Sequence, residues 1–88
     1  MSQPSYRLTE HAREEAERRG IPPGVLHTVL TQPEQIVRAH SGREAYQSRV
    51  EMDGTLYLVR AIVESANPVI VITVYRTSRL EKYWSDEP

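Results

Sequence analysis

The stretch that decides the fold is Val69-Ile70-Val71-Ile72-Thr73-Val74-Tyr75, close to the C-terminal end of the chain. Five β-branched aliphatic residues in this short run predict a buried strand in the centre of a sheet. Polar, cationic and aromatic residues follow at once: Arg76, Thr77, Ser78, Arg79, Lys82, Tyr83 and Trp84. A buried strand that ends in such groups is a common way to build a site, and a core strand followed by an ordinary solvated tail is the alternative.

Length and composition predict one domain, residues 1–88, with a short flexible leader at 1–5 and a flexible tail at 85–88. The absence of cysteine excludes disulfides and thiolate metal sites and fits a reducing cytoplasm, where we expect the protein to be located. No apolar run approaches the roughly 18 residues of a membrane-spanning helix, so we expect no membrane partner. The net charge of −1 does not favour nucleic-acid binding by the whole surface, but it allows a local basic patch.

The first third of the chain predicts two helices. Thr9 is a suitable N-cap for a helix that runs to about Arg19, and Gly20 is well placed to end it. Pro22 and Pro23 suit the opening of a second helix. The remainder predicts four strands, at residues 35–39, 44–52, 55–64 and 69–75. This order of elements predicts an α+β domain with two N-terminal helices packed on one face of a four-stranded antiparallel sheet.

The turns between the strands predict which side chains share a face. Asp53-Gly54 is a strong two-residue hairpin pattern, and it sets Gln47 opposite Arg60. If residues 65–68 form a four-residue loop, Arg60 also lies opposite Thr73. The face beneath the helices would then be aliphatic, with Val59, Ala61, Val63, Ile70, Ile72 and Val74. The uncovered face would hold Gln47, Arg49, Arg60, Thr73 and Tyr75.

Two arginines, a threonine and a tyrosine on one uncovered face suggest a phosphate-binding patch. The forked donors of arginine match phosphate oxygens, and a tyrosine can stack on a base or donate its hydroxyl. Antiparallel sheets ordinarily have one wet face, where arginine and threonine need no ligand, so a solvated surface is the alternative.

His11 is the histidine best placed for proton transfer. It lies in the first turn of a helix, where the helix dipole favours the neutral imidazole that can accept a proton. A structural or solvated role is the common alternative. His11, His27 and His40 lack metal-ligand spacing, and the chain has no glycine-rich phosphate loop, nucleophile elbow or paired carboxylates. We therefore expect no metal and no cofactor.

Four ordered segments span nearly the whole chain: Leu8–Ala12, Glu17–Ile21, Ile72–Ser78 and Leu80–Trp84. In residues and spacing they resemble DUF4258, a family of small bacterial proteins of unknown function that looks related to the RelE/ParE-type toxins of toxin–antitoxin systems. The resemblance implies a helix–helix–sheet domain of the barnase, EndoU, colicin and RelE type. Many proteins of that type cleave RNA without a metal, by attack of a ribose 2′-hydroxyl on the adjacent phosphate.

The resemblance also implies roles for particular residues. Catalytic roles would fall to His11, Arg60, Thr73 and Tyr75. RNA or phosphate binding would fall to Arg49, Arg76, Lys82 and Tyr83. The partners would be RNA, on or off the ribosome, and a small antitoxin protein. The predicted function is thus an mRNA-cleaving toxin, and the alternatives are a non-enzymatic protein-binding module and a ParE-like gyrase inhibitor.

Overall fold

A computed structural model of the chain describes residues 6–86, so the predicted leader at 1–5 and the last two residues of the predicted tail lie outside the described residues. A short strand and two helices come first, and an antiparallel meander and a short helix follow. In chain order the elements are β1 (Tyr6–Leu8), α1 (Glu10–Arg18), α2 (Pro23–Thr31), β2 (Gln35–Arg38), a 3-10 turn (His40–Gly42), β3 (Glu44–Met52), β4 (Thr55–Glu64), β5 (Val69–Thr77) and α3 (Leu80–Tyr83). The prediction of an α+β domain is confirmed.

All the strands belong to one five-stranded sheet in the order β1-β5-β4-β3-β2. Neighbours from β2 to β5 run antiparallel, whereas β1 pairs in parallel with the start of β5. The expectation of four antiparallel strands is therefore corrected to five strands with one parallel pair. The sequence did not show β1 because three residues are too few for an alternation pattern, and a parallel partner distant in sequence leaves no turn pattern between them.

The core lies between the two longer helices and one face of the sheet. Small alanines on α1 and aliphatic residues on α2 pack against aliphatic residues of β4 and β5. The buried members are Ala12, Ala16, Ile21, Leu26, Val29, Leu30, Val59, Ala61, Val63, Val71 and Val74. Because successive residues of a strand point to opposite faces, Arg60, between Val59 and Ala61, must point away from this core.

Thr9 joins the start of α1 to the sheet. Its side-chain oxygen accepts a hydrogen bond from the Ala12 amide at 3.0 Å, which confirms the predicted N-cap. The same hydroxyl donates to the Ile72 carbonyl at 3.2 Å, and the Thr9 amide donates to the Val71 carbonyl at 3.1 Å. At the other end of α1, Gly20 has φ +66°, the left-handed conformation that ends a helix. These contacts fix the first turn of α1 beside β5.

The hairpin between β3 and β4 has the predicted register. Gln47 lies opposite Arg60, and the loop residues Asp53 and Gly54 have φ values of 53° and 79°. Both left-handed values are those of the tight two-residue turn that matches the twist of a hairpin. The residues of the turn were therefore sufficient to predict that Arg60 lies opposite Gln47.

The predicted pairing of the last two strands is wrong by two residues, one of which arises at the turn and the other at a bulge in β5. Arg60 lies opposite Tyr75 rather than Thr73, and Thr73 lies opposite Ile62. Between Ile62 and Val63 the register shifts, and Ile72 becomes the additional residue of β5. On the turn side of the bulge, Glu64 lies opposite Ile70, one residue beyond the partner that a four-residue loop predicts, so Val71 faces the core in place of Ile70. Ile72 is only partly buried. Thr73 and Tyr75 nevertheless keep the predicted face, because the register differs there by an even number of residues.

Among the described residues, no helix is long and apolar enough to cross a membrane.

Candidate functional site

A groove of about 660 Å³ opens on the face of the sheet that the two longer helices leave uncovered. Its floor comes from β4 and β5, and its walls come from α3 and from the connection between β2 and β3. We call it the Arg60 groove, and its residues are Arg38, Ala39, His40, Ser41, Arg43, Arg60, Ile62, Tyr75 and Tyr83. Three arginines and a histidine line it, and no acidic residue does so among residues 6–86.

Arg60 is the central cation of this groove, and only 8% of its surface is exposed. Its Nε donates to Gln47 Oε1 at 2.8 Å, and its Nη1 donates to the Tyr75 hydroxyl at 2.5 Å. Within residues 6–86, Nη2 has no hydrogen-bond partner and the four ion pairs all involve other arginines. No fully buried polar side-chain atom of these residues lacks a partner, so Nη2 must reach the solvent of the groove. A buried arginine with open N–H donors and no carboxylate is suited to an external anion.

Gln47 holds the Arg60 guanidinium in place from below. Its side chain is completely buried and carries three hydrogen bonds. While Oε1 accepts from Arg60, Nε2 donates to Gln35 Oε1 at 2.8 Å and to the Tyr83 carbonyl at 3.1 Å. Gln35 in turn accepts from the Ser85 amide at 3.1 Å. This chain of amides joins the C-terminal segment to the sheet and fixes the orientation of the arginine.

Two tyrosines place aromatic surface beside the cation. The Tyr83 ring centroid lies 4.4 Å from Arg60 Cζ, and the Tyr75 ring centroid lies 5.7 Å from it. The two rings meet at 6.1 Å and 69°, an edge-to-face contact. Lys82 adds a further cation, with its Nζ 5.3 Å from the centroid of the Tyr83 ring. Cationic donors and aromatic rings in one groove match a ligand that has both phosphates and bases.

The turn after β2 contributes residues that sequence reasoning did not place in the site. Ser41 and Gly42 have φ values of 62° and 73°, so the chain reverses sharply and presents His40 and Arg43 to the groove. The Ala39 amide closes the turn by donating to the Arg43 carbonyl at 2.8 Å. A pair of basic residues flanking a Ser-Gly turn was visible in the sequence. Only the fold shows that this turn lies beside Arg60.

His11 and Thr73 meet at the border of the groove. His11 Nε2 lies 3.3 Å from Thr73 Oγ1, and His11 is exposed. Thr73 is the strand partner of Ile62 in the groove floor, and it lies about 6.6 Å along the strand from Tyr75 on the same face. Of the predicted catalytic residues, Arg60, Thr73 and Tyr75 thus share one face of the sheet, and His11 reaches Thr73 from α1.

Arg49 lies on the predicted face but does not line the Arg60 groove. Its Nε is 3.1 Å from Glu34 Oε1, and its Cζ lies 4.1 Å from the centroid of the Trp84 ring. Hydrogen bonds from Arg49 lower the pKa of Glu34, and the carboxylate raises the pKa of Arg49 in return. The guanidinium is therefore already engaged by a carboxylate.

Arg76 lies on the opposite side of the sheet from Arg60. It pairs across the strands with the core residue Val59, and its Cζ lies 4.5 Å from the centroid of the Tyr57 ring. Of the four residues predicted to bind RNA or phosphate, only Tyr83 lines the Arg60 groove, and Lys82 lies next to it. The described residues contain no group of three or more His, Cys, Asp or Glu side chains able to hold a metal ion.

Fold and groove together define a small α+β domain with a cationic, aromatic-lined surface built around a buried arginine. The family model described as Domain of unknown function (DUF4258) matches residues 8–76, so the chain belongs to this family. The matched range contains every residue of the Arg60 groove except Tyr83. No curated protein sequence and no solved structure matches the chain.

Proposed function

We propose that this chain is a ribonuclease that cleaves single-stranded RNA in the Arg60 groove without a metal, and that it acts as the toxin of a toxin–antitoxin pair. The observation that carries the proposal is Arg60, a buried cation with no carboxylate partner within residues 6–86 and with open donors toward the groove. Burying an arginine is unfavourable unless a partner offsets the loss of hydration. A phosphate diester would supply that missing charge.

RNA fits this groove better than a small anion does. Arg38 and Arg43 add cations on one wall, while Tyr75 and Tyr83 offer rings on the other side. Single-stranded nucleic acids bind through this combination, with phosphates on arginines and unpaired bases stacked on aromatic side chains. The Tyr75 hydroxyl accepts a hydrogen bond from Arg60, so the ring can stack on a base while the hydroxyl holds the cation.

Two imidazoles are available for the proton transfers. His40 lines the groove itself, and His11 reaches its border through Thr73. In the proposed reaction the ribose 2′-oxygen bonds to phosphorus while the bond from phosphorus to the 5′-oxygen breaks. One imidazole takes the proton of the 2′-hydroxyl and the other gives a proton to the departing 5′-oxygen. Arg60 stabilises the negative charge that grows on the phosphate oxygens during this exchange.

The role of a toxin rests on the proposed chemistry and on the resemblance to RelE/ParE-type proteins. A domain that cuts mRNA with its own side chains would be harmful as soon as it folds. It would therefore need a partner that covers the groove, and a small antitoxin protein is the partner we propose.

Expression of this chain alone in bacteria should arrest growth, because uncontrolled mRNA cleavage stops protein synthesis. Transcript mapping should show new 5′ ends in the arrested cells. Arg60→Ala should relieve the arrest, whereas Arg13→Ala should not, since Arg13 is exposed and pairs with Glu10 away from the groove.

The same experiment separates the competing functions. Arrest with intact transcripts and double-stranded DNA breaks would contradict a ribonuclease and favour a gyrase inhibitor. Normal growth with soluble, folded protein would contradict both toxins and favour a protein-binding module. Folding of each variant is checked by circular dichroism, so that loss of arrest is not confused with loss of structure.

A further inference from the structure

A second basic surface lies on the helix side of the sheet, and the proposed reaction does not use it. It is a shallow depression of about 620 Å³, and we call it the Arg76 patch. Its residues are Arg18, Arg19, Gly20, Tyr57, Arg76, Thr77 and Ser78. The end of α1, the start of β4 and the end of β5 thus form this patch together.

The guanidinium of Arg76 is held in position by three neighbours. Its Cζ lies 4.5 Å from the centroid of the Tyr57 ring, and its Nη1 lies 3.9 Å from Met52 Sδ. At Gly20, a Cβ atom would come within 3.9 Å of Arg76 Nη2, so the end of α1 also borders the side chain. No carboxylate among residues 6–86 lies within ion-pair distance of Arg76. The arrangement resembles that of Arg60, with a supported cation whose charge is unmatched.

The other two arginines of the patch share a single carboxylate. Arg18 Nη2 lies 2.7 Å and Arg19 Nε lies 3.0 Å from the same Glu15 oxygen. The hydrogen bond from Arg18, followed by that from Arg19, lowers the pKa of Glu15 to about 2, so the carboxylate is charged near neutral pH. With Arg76 included, three cations and one anion leave the patch with a surplus of two positive charges.

The free edge of β5 connects the Arg76 patch to the Arg60 groove. β1 pairs only with Val69–Val71, so within residues 6–86 no strand pairs with the outer edge of β5 beyond Val71. Tyr75 points to the groove and its neighbour Arg76 points to the patch. Thr77 and Ser78 add hydroxyl groups at the end of the same edge. An extended ligand can therefore pass from one cationic surface to the other around a single strand.

We propose that the Arg76 patch binds a second phosphate of the same RNA strand, whose chain passes around the free edge of β5 from the Arg60 groove. This proposal rests on the proposed function. It gives the substrate a minimum length, since a short oligonucleotide fills only the Arg60 groove. Longer strands gain the second phosphate contact. The protein should therefore bind longer single strands more tightly than dinucleotides.

Fluorescence anisotropy with 2′-O-methyl RNA of two to twelve nucleotides tests this proposal, because such RNA lacks the attacking hydroxyl and stays intact. Arg76→Ala should weaken binding of the longest strand by about tenfold, the usual scale of a charged hydrogen bond. It should leave the dinucleotide unchanged. For the longest strand, the slope of log K against log salt should fall by about 0.7, the value for one phosphate of a single strand.

Two further variants make the result specific to the patch. Arg18→Ala removes a side chain that is 67% exposed and cannot disturb the core, and it should also weaken only the longer strands. Arg13→Ala removes one exposed charge elsewhere and should change the affinity for neither the short nor the long RNA strands. Equal binding of every length by the wild type and Arg76→Ala would overturn the proposal.

The same binding measurements, repeated with inorganic phosphate, distinguish a site for free phosphate from a site for the RNA strand. If inorganic phosphate binds the patch and Arg76→Ala weakens all lengths alike, the second site does not belong to the strand and the proposal is wrong. If Arg60→Ala leaves RNA binding intact, the proposed function itself fails, whatever Arg76 does. An Arg60-dependent affinity with no length-dependent effect of Arg76 would overturn only the second site.

Discussion

Replacing Arg60 by Ala should lower the rate of RNA cleavage by about 10²–10³-fold, the usual cost of removing one preorganised donor to a transition-state charge. The guanidinium is buried, fixed by Gln47 and Tyr75, and opens toward the groove. In the proposed reaction, the guanidinium therefore needs no reorganisation when negative charge develops on the phosphate. Single-turnover rates on an RNA oligonucleotide give the measurement, with thermal unfolding as the check on structure.

Arg49→Ala is the matched control for this prediction, since Arg49 lies on the same face of the sheet. Its charge is already paired with Glu34, so we expect less than about a threefold loss, in line with the small contribution of exposed ion pairs. Tyr75→Phe removes only the hydroxyl that accepts from Arg60 and should give an intermediate loss. Equal losses for Arg49→Ala and Arg60→Ala would indicate general charge attraction and would contradict a specific role for Arg60.

Leu26→Ala should lower the free energy of unfolding by about 2–5 kcal/mol, the range for leucine truncation in a core. Leu26 is 3% exposed and belongs to the cluster between the helices and the sheet. Small domains have a total stability of about 5–15 kcal/mol, so this single change should remove a large share of it. Urea titration followed by circular dichroism gives the difference directly.

Leu56→Ala is the same chemical change at a residue that is 48% exposed near the β3–β4 hairpin. It should cost well under about 1 kcal/mol, as surface substitutions usually do. A loss as large as that of Leu26→Ala would show that the helices do not cover the face of the sheet described above.

The sequence was most informative where local turn chemistry sets the register. Asp53-Gly54 adopts the left-handed turn that such a pair favours, and it correctly placed Gln47 beside Arg60. The bulge at Ile72 could not be predicted in this way. The carbonyl of Ile72 accepts a hydrogen bond from Thr9, which is distant in sequence, and no local pattern shows that contact. The assumed four-residue loop at 65–68 therefore predicted the wrong partner for Arg60, although Tyr75 kept the predicted face.

The candidate site was predictable only in part for a similar reason. Arg60 and Tyr75 follow from strand alternation, but the walls of the groove come from segments whose positions depend on long-range contacts. His40 and Arg43 belong to a turn that the sequence marks only as a turn. Conversely, the ion pair that engages Arg49 requires Glu34 to lie beside β3, and no local pattern shows that contact.

The most direct measurement of the central claim uses an RNA that carries one ribose in an otherwise 2′-O-methyl strand. Free RNA is tested in EDTA, and mRNA of the same design is tested on ribosomes in magnesium buffer. In at least one of these two conditions we expect a cut directly after the single ribose, with a 2′,3′-cyclic phosphate and a 5′-hydroxyl at the new ends. With Arg60→Ala the same cut should form about 10²–10³-fold more slowly. Intact RNA in both arms, or new ends with a 5′-phosphate, would contradict cleavage by 2′-hydroxyl attack in the Arg60 groove.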